Sequence, residues 1–215
     1  MVQAMPEAPK RLRLSDSERR QLYRVLTPIA GLYVVGALFM GFFPQQVCYL
    51  ALIPTEMDLT RLYTLATYAV LHDGVSHVVQ VLVFILFPCL ILVGRLSDKA
   101  ILLVTVGGLI STGLLLTATA SRPTAFVGGI AAAWALAGVV GGMFLSDRRS
   151  FRLLSGFYAV LMATFMILGL FGVSEFDRAN SATGLLFLSG TTFYLRRMRE
   201  RGKAFLAAGT TDSVP

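Results

Sequence analysis

Histidine, cysteine and tryptophan are nearly missing from this chain, which has two His, two Cys and one Trp in 215 residues. Two cysteines, Cys48 and Cys89, are too few for a disulfide framework. Cys89 also lies inside an apolar run, so neither redox nor metal chemistry is assigned to it. Charge is scarce as well: 14% of residues are charged and 55% are hydrophobic, which no soluble core of this size could hide. The apolar stretch after the polar, basic first 25 residues has no small-residue cleavage site, so no removable signal peptide is expected. Internal repeats and a second domain are lacking too.

What the chain does have is apolar runs of bilayer length. A hydrocarbon core about 30 Å thick needs about 20 apolar residues as a helix, because backbone polar groups there must satisfy one another. Six candidate spans follow, at 26–43, 76–93, 100–118, 126–145, 153–173 and 179–195. Between the first two lies a long segment interrupted by Pro44 and Pro54, too apolar for a solvated loop and too broken for a span. It reads as interfacial. Glycines within the spans, such as Gly107, Gly108, Gly138, Gly141 and Gly142, allow helix backbones to approach closely.

The formal charge of +7 raises the question of nucleic acid. The basic residues, however, sit at the edges of apolar runs, where anionic lipid headgroups are their partners, so nucleic-acid binding is set aside. Sixteen of the nineteen Lys and Arg fall on one side of the membrane if the number of spans is even. Only Arg61, Arg122 and Arg178 fall on the other. The positive-inside rule then places both termini in the cytoplasm. The expected organisation is a basic N-terminal segment (1–25), a six-helix membrane domain (26–196) and a short basic tail (197–215). The segment SDSERRQLYRVL suggests an amphipathic helix capped by Ser15 or Asp16.

The stretch TYAVLHDGVSH, ending the interfacial segment, carries both histidines, His72 and His77. It resembles the start of the second span in rhomboid intramembrane serine proteases, where a T-Y-x-F-x-H run leads five residues on to another His. In the family that second His begins an H-x-x-x-N pattern that helps bind the oxyanion; here His77 is kept and Val81 replaces the Asn. Valine donates no hydrogen bond. Upstream, Tyr63-Thr64 stands where rhomboids carry a Trp-Arg pair. Downstream, GGIAAAWALAG resembles the G-x-S-G-x-x-x-A-L-x-G of the fourth span, with Ile130 at the nucleophile. Isoleucine has neither a proton to lose nor a lone pair, so serine-type hydrolysis at this position is excluded. The sixth span should bring a His followed seven residues later by Gly. On the register that puts Gly190 at the glycine, Thr183 takes the place of the His; a slipped register would put Asn180 or Ser181 there, and none of these supplies a histidine.

The resemblance, over 59–195, implies an all-α integral membrane fold: a six-transmembrane-helix, rhomboid-like bundle with a long interfacial loop between its first two helices. It further implies a pseudoprotease, a non-enzyme that keeps His77 but carries Ile130, Thr183 and Val81 in place of its chemistry. Its expected partners are transmembrane helices of other membrane proteins, contacted beside the interfacial loop through spans two and five. Binding is expected around His72, His77, Tyr63 and Trp134, with no cofactor and no metal. Ile130, Val81 and Trp134 are expected to form an apolar seam, with Ile130 facing Thr183. Haem, pigment or metal ligation by His72 and His77 is weighed against hydrogen bonds to backbone or water, which are favoured because residues five apart on one helix do not share a face. The setting expected is a bacterial inner membrane. Two further readings stand beside this one: a structural subunit of a larger membrane complex, and a residual serine peptidase.

Overall fold

In a computed structural model, described for residues 14–151, 153–172 and 174–209, the chain is all-helical. Side chains are described up to Arg201, apart from Ser150. Helix α1 spans Asp16–Phe42. The segment to the next long helix holds two one-turn helices, α2 (Val47–Leu50) and α3 (Thr64–Thr67). Then follow α4 (Gly74–Leu92), α5 (Asp98–Thr119), α6 (Ile130–Ser146), α7 (Leu153–Gly169) and α8 (Glu175–Gly209). No strand occurs among the described residues; a single antiparallel bridge joins Leu52 and Phe126. Three helices, α1, α4 and α5, are long and apolar enough to cross a membrane, while α6 and α7 are apolar but have 17 residues each.

The ends of these helices follow from local chemistry. Helix α1 opens with a capping box: the Ser15 hydroxyl accepts from the Glu18 N–H, and the Glu18 carboxylate accepts from the Ser15 N–H at 2.8 Å. The helix then runs unbroken through Pro28, so the expected amphipathic segment and the first span are one element rather than two. Ser97 caps α5 through the Ala100 N–H. Helix α6 starts four residues later than the fourth span was expected to, because 126–129 is used otherwise. Phe126 pairs with Leu52, and Gly128 takes φ +116°, a conformation only glycine adopts without strain. Helix α7 stops at Gly169, before the expected 173, a position outside the described residues. Helix α8 begins at Glu175 and continues through the boundary expected at 196.

Helix α6 is the axis of the bundle. Ala131, Ala132 and Ala133 and then every residue from Ala135 to Gly142 are buried. Lipid tails are as apolar as leucine, so helix association here depends on close packing rather than on water release. The α6 sequence IAAAWALAGVVGG supplies that packing with small side chains. A methyl added at Gly138 would collide with the Gly184 carbonyl of α8, and one at Gly142 would lie 2.7 Å from the Leu188 carbonyl. On the opposite flank, Ala131 and Ala135 press on Gly108 of α5. Helices α1 and α4 complete the main core through Val25, Ile29, Tyr33, Val81, Ile85 and Leu92.

The connections tie together at both ends. At one end Gln21 of α1 donates to the Leu96 carbonyl at 2.6 Å and accepts from the Gly94 N–H at 2.9 Å, and Arg24 pairs with Asp98 at 2.7 Å. Arg95 stands 4.4 Å over the Phe151 ring at the same end. At the other, Leu52 and Phe126 exchange backbone hydrogen bonds at 3.1 and 2.8 Å, and Ser121 donates to Glu175 at 3.3 Å.

Gly138→Ala should destabilise the bundle by about 1–3 kcal/mol, since backbone, not a pliable side chain, occupies the space its methyl needs. Gly190→Ala has open space and a helical backbone, and should be neutral or stabilising by up to about 1 kcal/mol. Thermal unfolding in mild detergent checks both.

Candidate functional site

The two histidines meet because the chain turns between them. His72 lies before α4, and Gly74 with φ +80° reverses the backbone so that helix starts only there. The premise that the pair shares one helix therefore fails. Their rings are 5.1 Å apart between centroids, inclined at 62°. The His72 ring is fully buried and sits 4.4 Å from the Tyr33 ring of α1. Its Nδ1 lies 2.8 Å from the Val70 carbonyl, which makes Nδ1 the protonated donor and leaves Nε2 as an acceptor with no partner. The Val70 carbonyl is itself pressed against α1 at Gly36, where no side chain would fit. Tyr33 reaches the far wall, donating its hydroxyl to the Gly129 carbonyl at 3.2 Å, just before α6. His77 is partly exposed, lies against Gly128, and makes no hydrogen bond among the described residues. Of the favoured hydrogen bonds, to backbone or water, the structure contains one to backbone, from His72.

Burial lowers the His72 pKa; the Val70 hydrogen bond opposes this, and the charge of a protonated His77 adds to it. His72 is therefore held neutral, with its Nε2 acceptor buried and unpartnered.

The interfacial segment roofs this end of the bundle. The Asp58 carboxylate accepts from the Thr60 and Arg61 N–H groups at 2.8 and 3.0 Å. Arg61 bonds the Glu56 carboxylate and donates to the Cys48 carbonyl at 2.8 Å. Tyr63 is 47% exposed and donates to the Tyr49 carbonyl at 2.7 Å; its neighbour Thr64 is buried and donates to the Arg61 carbonyl. Tyr68 anchors the segment to α5 through the Leu109 carbonyl at 2.8 Å, and its own carbonyl accepts from Gly128. Phe42, Phe43, Tyr49, Leu59 and Leu62 face outward, as an interfacial position would require.

The degenerate positions are brought together only in part. Val81 is fully buried in the main core, and Ile130, the first residue of α6, packs on that same cluster. Trp134 lies one turn further along the same face of α6, partly exposed and outside that cluster. Thr183 is elsewhere. Its hydroxyl is 2.7 Å from that of Thr112 on α5, both buried. Gly138 against the backbone between Gly184 and Leu188, and Gly142 against Leu188 and Thr191, set α6 and α8 parallel. By that register Thr183 lies toward the middle of α6, more than one turn along the axis from Ile130 at its start. The expected facing of Ile130 and Thr183 is not found, and its cause is the choice of glycine. The Gly184 carbonyl meets α6 and its Cα faces Met166 of α7, whereas Gly190, the glycine used for the register, faces open space. Moving the seven-residue spacing to Gly184 puts Asp177 at the position expected for the histidine.

Sequence reasoning missed Tyr33, whose only signal is an aromatic hydroxyl inside an apolar span. It also missed the depth of Asn180 and Ser181, buried in the first turns of α8 with Asn180 Oδ1 and Ser181 Oγ unpartnered. Glu175 and Asp177 serve structural contacts: Glu175 accepts from Ser121, and Asp177 accepts from the Ser174 hydroxyl at 2.6 Å. Among the described residues no cluster of three or more His, Cys, Asp or Glu could hold a metal ion. Cys48 and Cys89 are free thiols, one exposed and one buried. No protein-family model and no curated protein matches the chain.

Because His72 is held neutral in the fold, the unfolded chain takes up its proton at the higher pH, about 6.5. Stability should be full above that value and fall as the pH drops below it. Melting curves in detergent from pH 7.5 to 4.5 should show this slope. His72→Asn, which keeps a donor toward Val70, should flatten it.

Proposed function

We propose that this chain is a multi-pass membrane protein with six spans and both termini in the cytoplasm, resembling a rhomboid bundle without its proteolytic chemistry. Its role, on this reading, is to bind transmembrane segments of partner proteins. A bacterial inner membrane is the setting that fits best. Helices α1, α4, α5, α6, α7 and α8 alternate in direction, and the ends with Gln21–Leu96 and Arg95–Phe151 contacts are the ones rich in arginine.

The observation that carries the binding role is the incomplete cover over one side of the bundle. In α7 the buried residues are Gly156, Ala159 and Met166, while Leu153 is 92% exposed and Phe157, Val160, Phe165, Ile167 and Leu168 also face outward. On α4, Val75, Val79, Val83, Phe84 and Phe87 are exposed. Phe87 stacks on Tyr158 at 6.5 Å, which links the two helices at one level. In the first part of the axial helix, 130–142, the partly exposed positions are Ile130 and Trp134, all others being buried. A partner helix entering beside α7 would meet that apolar stripe in place of a nucleophile.

The chemistry supports a binder rather than a hydrolase. Ile130 has no reactive atom, Val81 offers no donor, and the hydroxyl of Thr183 is engaged with Thr112. The two histidines lie at the interfacial end, one of them bonded to Val70 and packed on Tyr33.

A photo-reactive residue at Val160 or Val83, tested in native membranes, should cross-link to transmembrane segments of other proteins. The same residue at Val25, inside the core, should give none. Recovery of one constant partner in equal amount would instead assign the chain as a subunit of a larger complex. A serine-directed fluorophosphonate should leave the protein unlabelled; labelling would overturn the non-proteolytic reading.

A further inference from the structure

At the arginine-rich end, a cleft of about 290 Å³ opens between the end of α6, the turn after it and α8. Its wall is divided by chemistry. Met143, Phe151 and Leu195 are apolar, and Arg196 and Arg199 stand beside them. Neither arginine has a carboxylate partner among the described residues. Asp147 is the acid of the lining, so two guanidiniums face one carboxylate. Arg95 over the Phe151 ring at 4.4 Å and Arg148 over the Phe144 ring at 5.9 Å add positive charge around the rim.

Leu195 to Arg196 is the step at which α8 changes from apolar to basic, after the outward-facing Phe193 and Tyr194. The turn changes in the opposite sense, from Arg148 and Arg149 to the exposed Leu153 and Leu154. The cleft therefore sits where hydrocarbon gives way to water, with its apolar floor toward the first and its guanidiniums toward the second. We propose that it is a binding site for an anionic phospholipid, with the phosphate between Arg196 and Arg199 and the glycerol and upper acyl chain on Met143, Phe151 and Leu195. Planar guanidiniums match phosphate oxygens in pairs, and a basic pocket between helices at a membrane surface is suited to such headgroups. This inference rests on the membrane reading above. Flotation of the wild-type chain with phosphatidylcholine vesicles tests that reading by itself.

The site is tested with the full chain in phosphatidylcholine nanodiscs containing a few per cent phosphatidylglycerol, counting lipids retained in native mass spectra. Retention of phosphatidylglycerol should exceed that of phosphatidylcholine, and Arg196→Gln with Arg199→Gln should lower it about tenfold. Met143→Trp, which fills the floor with both charges in place, should lower it as well. Arg20→Gln, a basic residue of α1 at the same end and outside the cleft, should leave it unchanged. Three results would overturn the proposal: equal retention of both lipids, an equal loss with Arg20→Gln, or displacement by inorganic phosphate at about 50 mM. The last would assign the cleft to free phosphate.

Discussion

The contact on which the rest of this structure depends is the approach of α6 to α8 without intervening side chains. Gly138 lies on the backbone of Gly184, and Gly142 lies on the backbone at Leu188. In a bilayer there is no water to expel from between two helices, so their attraction comes from the number of atoms brought within van der Waals distance. Removing side chains at the crossing allows that number to be large over a long stretch. The same stretch fixes the axial register of α8, and with it which residues share a level. Thr183 is carried toward α5, where its hydroxyl meets Thr112. A one-turn slip of α8 would put the side chain of Asn180 or Leu188 where Gly184 now lies against Met166 of α7.

Much of this bundle was legible in the sequence, and the reasons are physical. Apolar runs near 20 residues cannot be hidden in water, so the helices at 76–93 and 100–118 were readable to within two residues. Ser15 with Glu18 announces a helix start, and the structure places the cap there. The segment holding Pro44 and Pro54 was readable as something other than a span, and its outward phenylalanines and tyrosines agree. The glycines were readable as sites of close packing, although not which helix each would meet.

What was not legible is long-range. A seven-residue spacing to a glycine can be satisfied by Gly184 or Gly190, and only the partner helix decides between them. Ligation by His72 and His77 was weighed as if both lay on one helix, and a glycine in the left-handed region keeps His72 off it. Hydropathy also extended the fourth span back to Phe126, because a residue pairing with a distant loop is as apolar as one inside a helix. Tyr33 was hidden for a similar reason: within α1 it is one apolar residue among many, and its hydroxyl gains a role only when Gly129 is brought to it.

The bridge between Leu52 and Phe126 joins two connections that leave the ribosome far apart in time. Helices α4 and α5 are made between them and must both be in place before the backbone groups of Leu52 find their partner. Until then the interfacial segment has its local bonds, such as Asp58 to Thr60 and Tyr63 to Tyr49, and no anchor. Its outward aromatic side chains supply one, because a bilayer surface can hold an apolar segment while the protein that will cover it is still being synthesised. The bridge that fastens the roof therefore waits until the chain through Phe126 has been made, and an early stop in translation would leave α1 and a surface-bound segment with nothing beneath it.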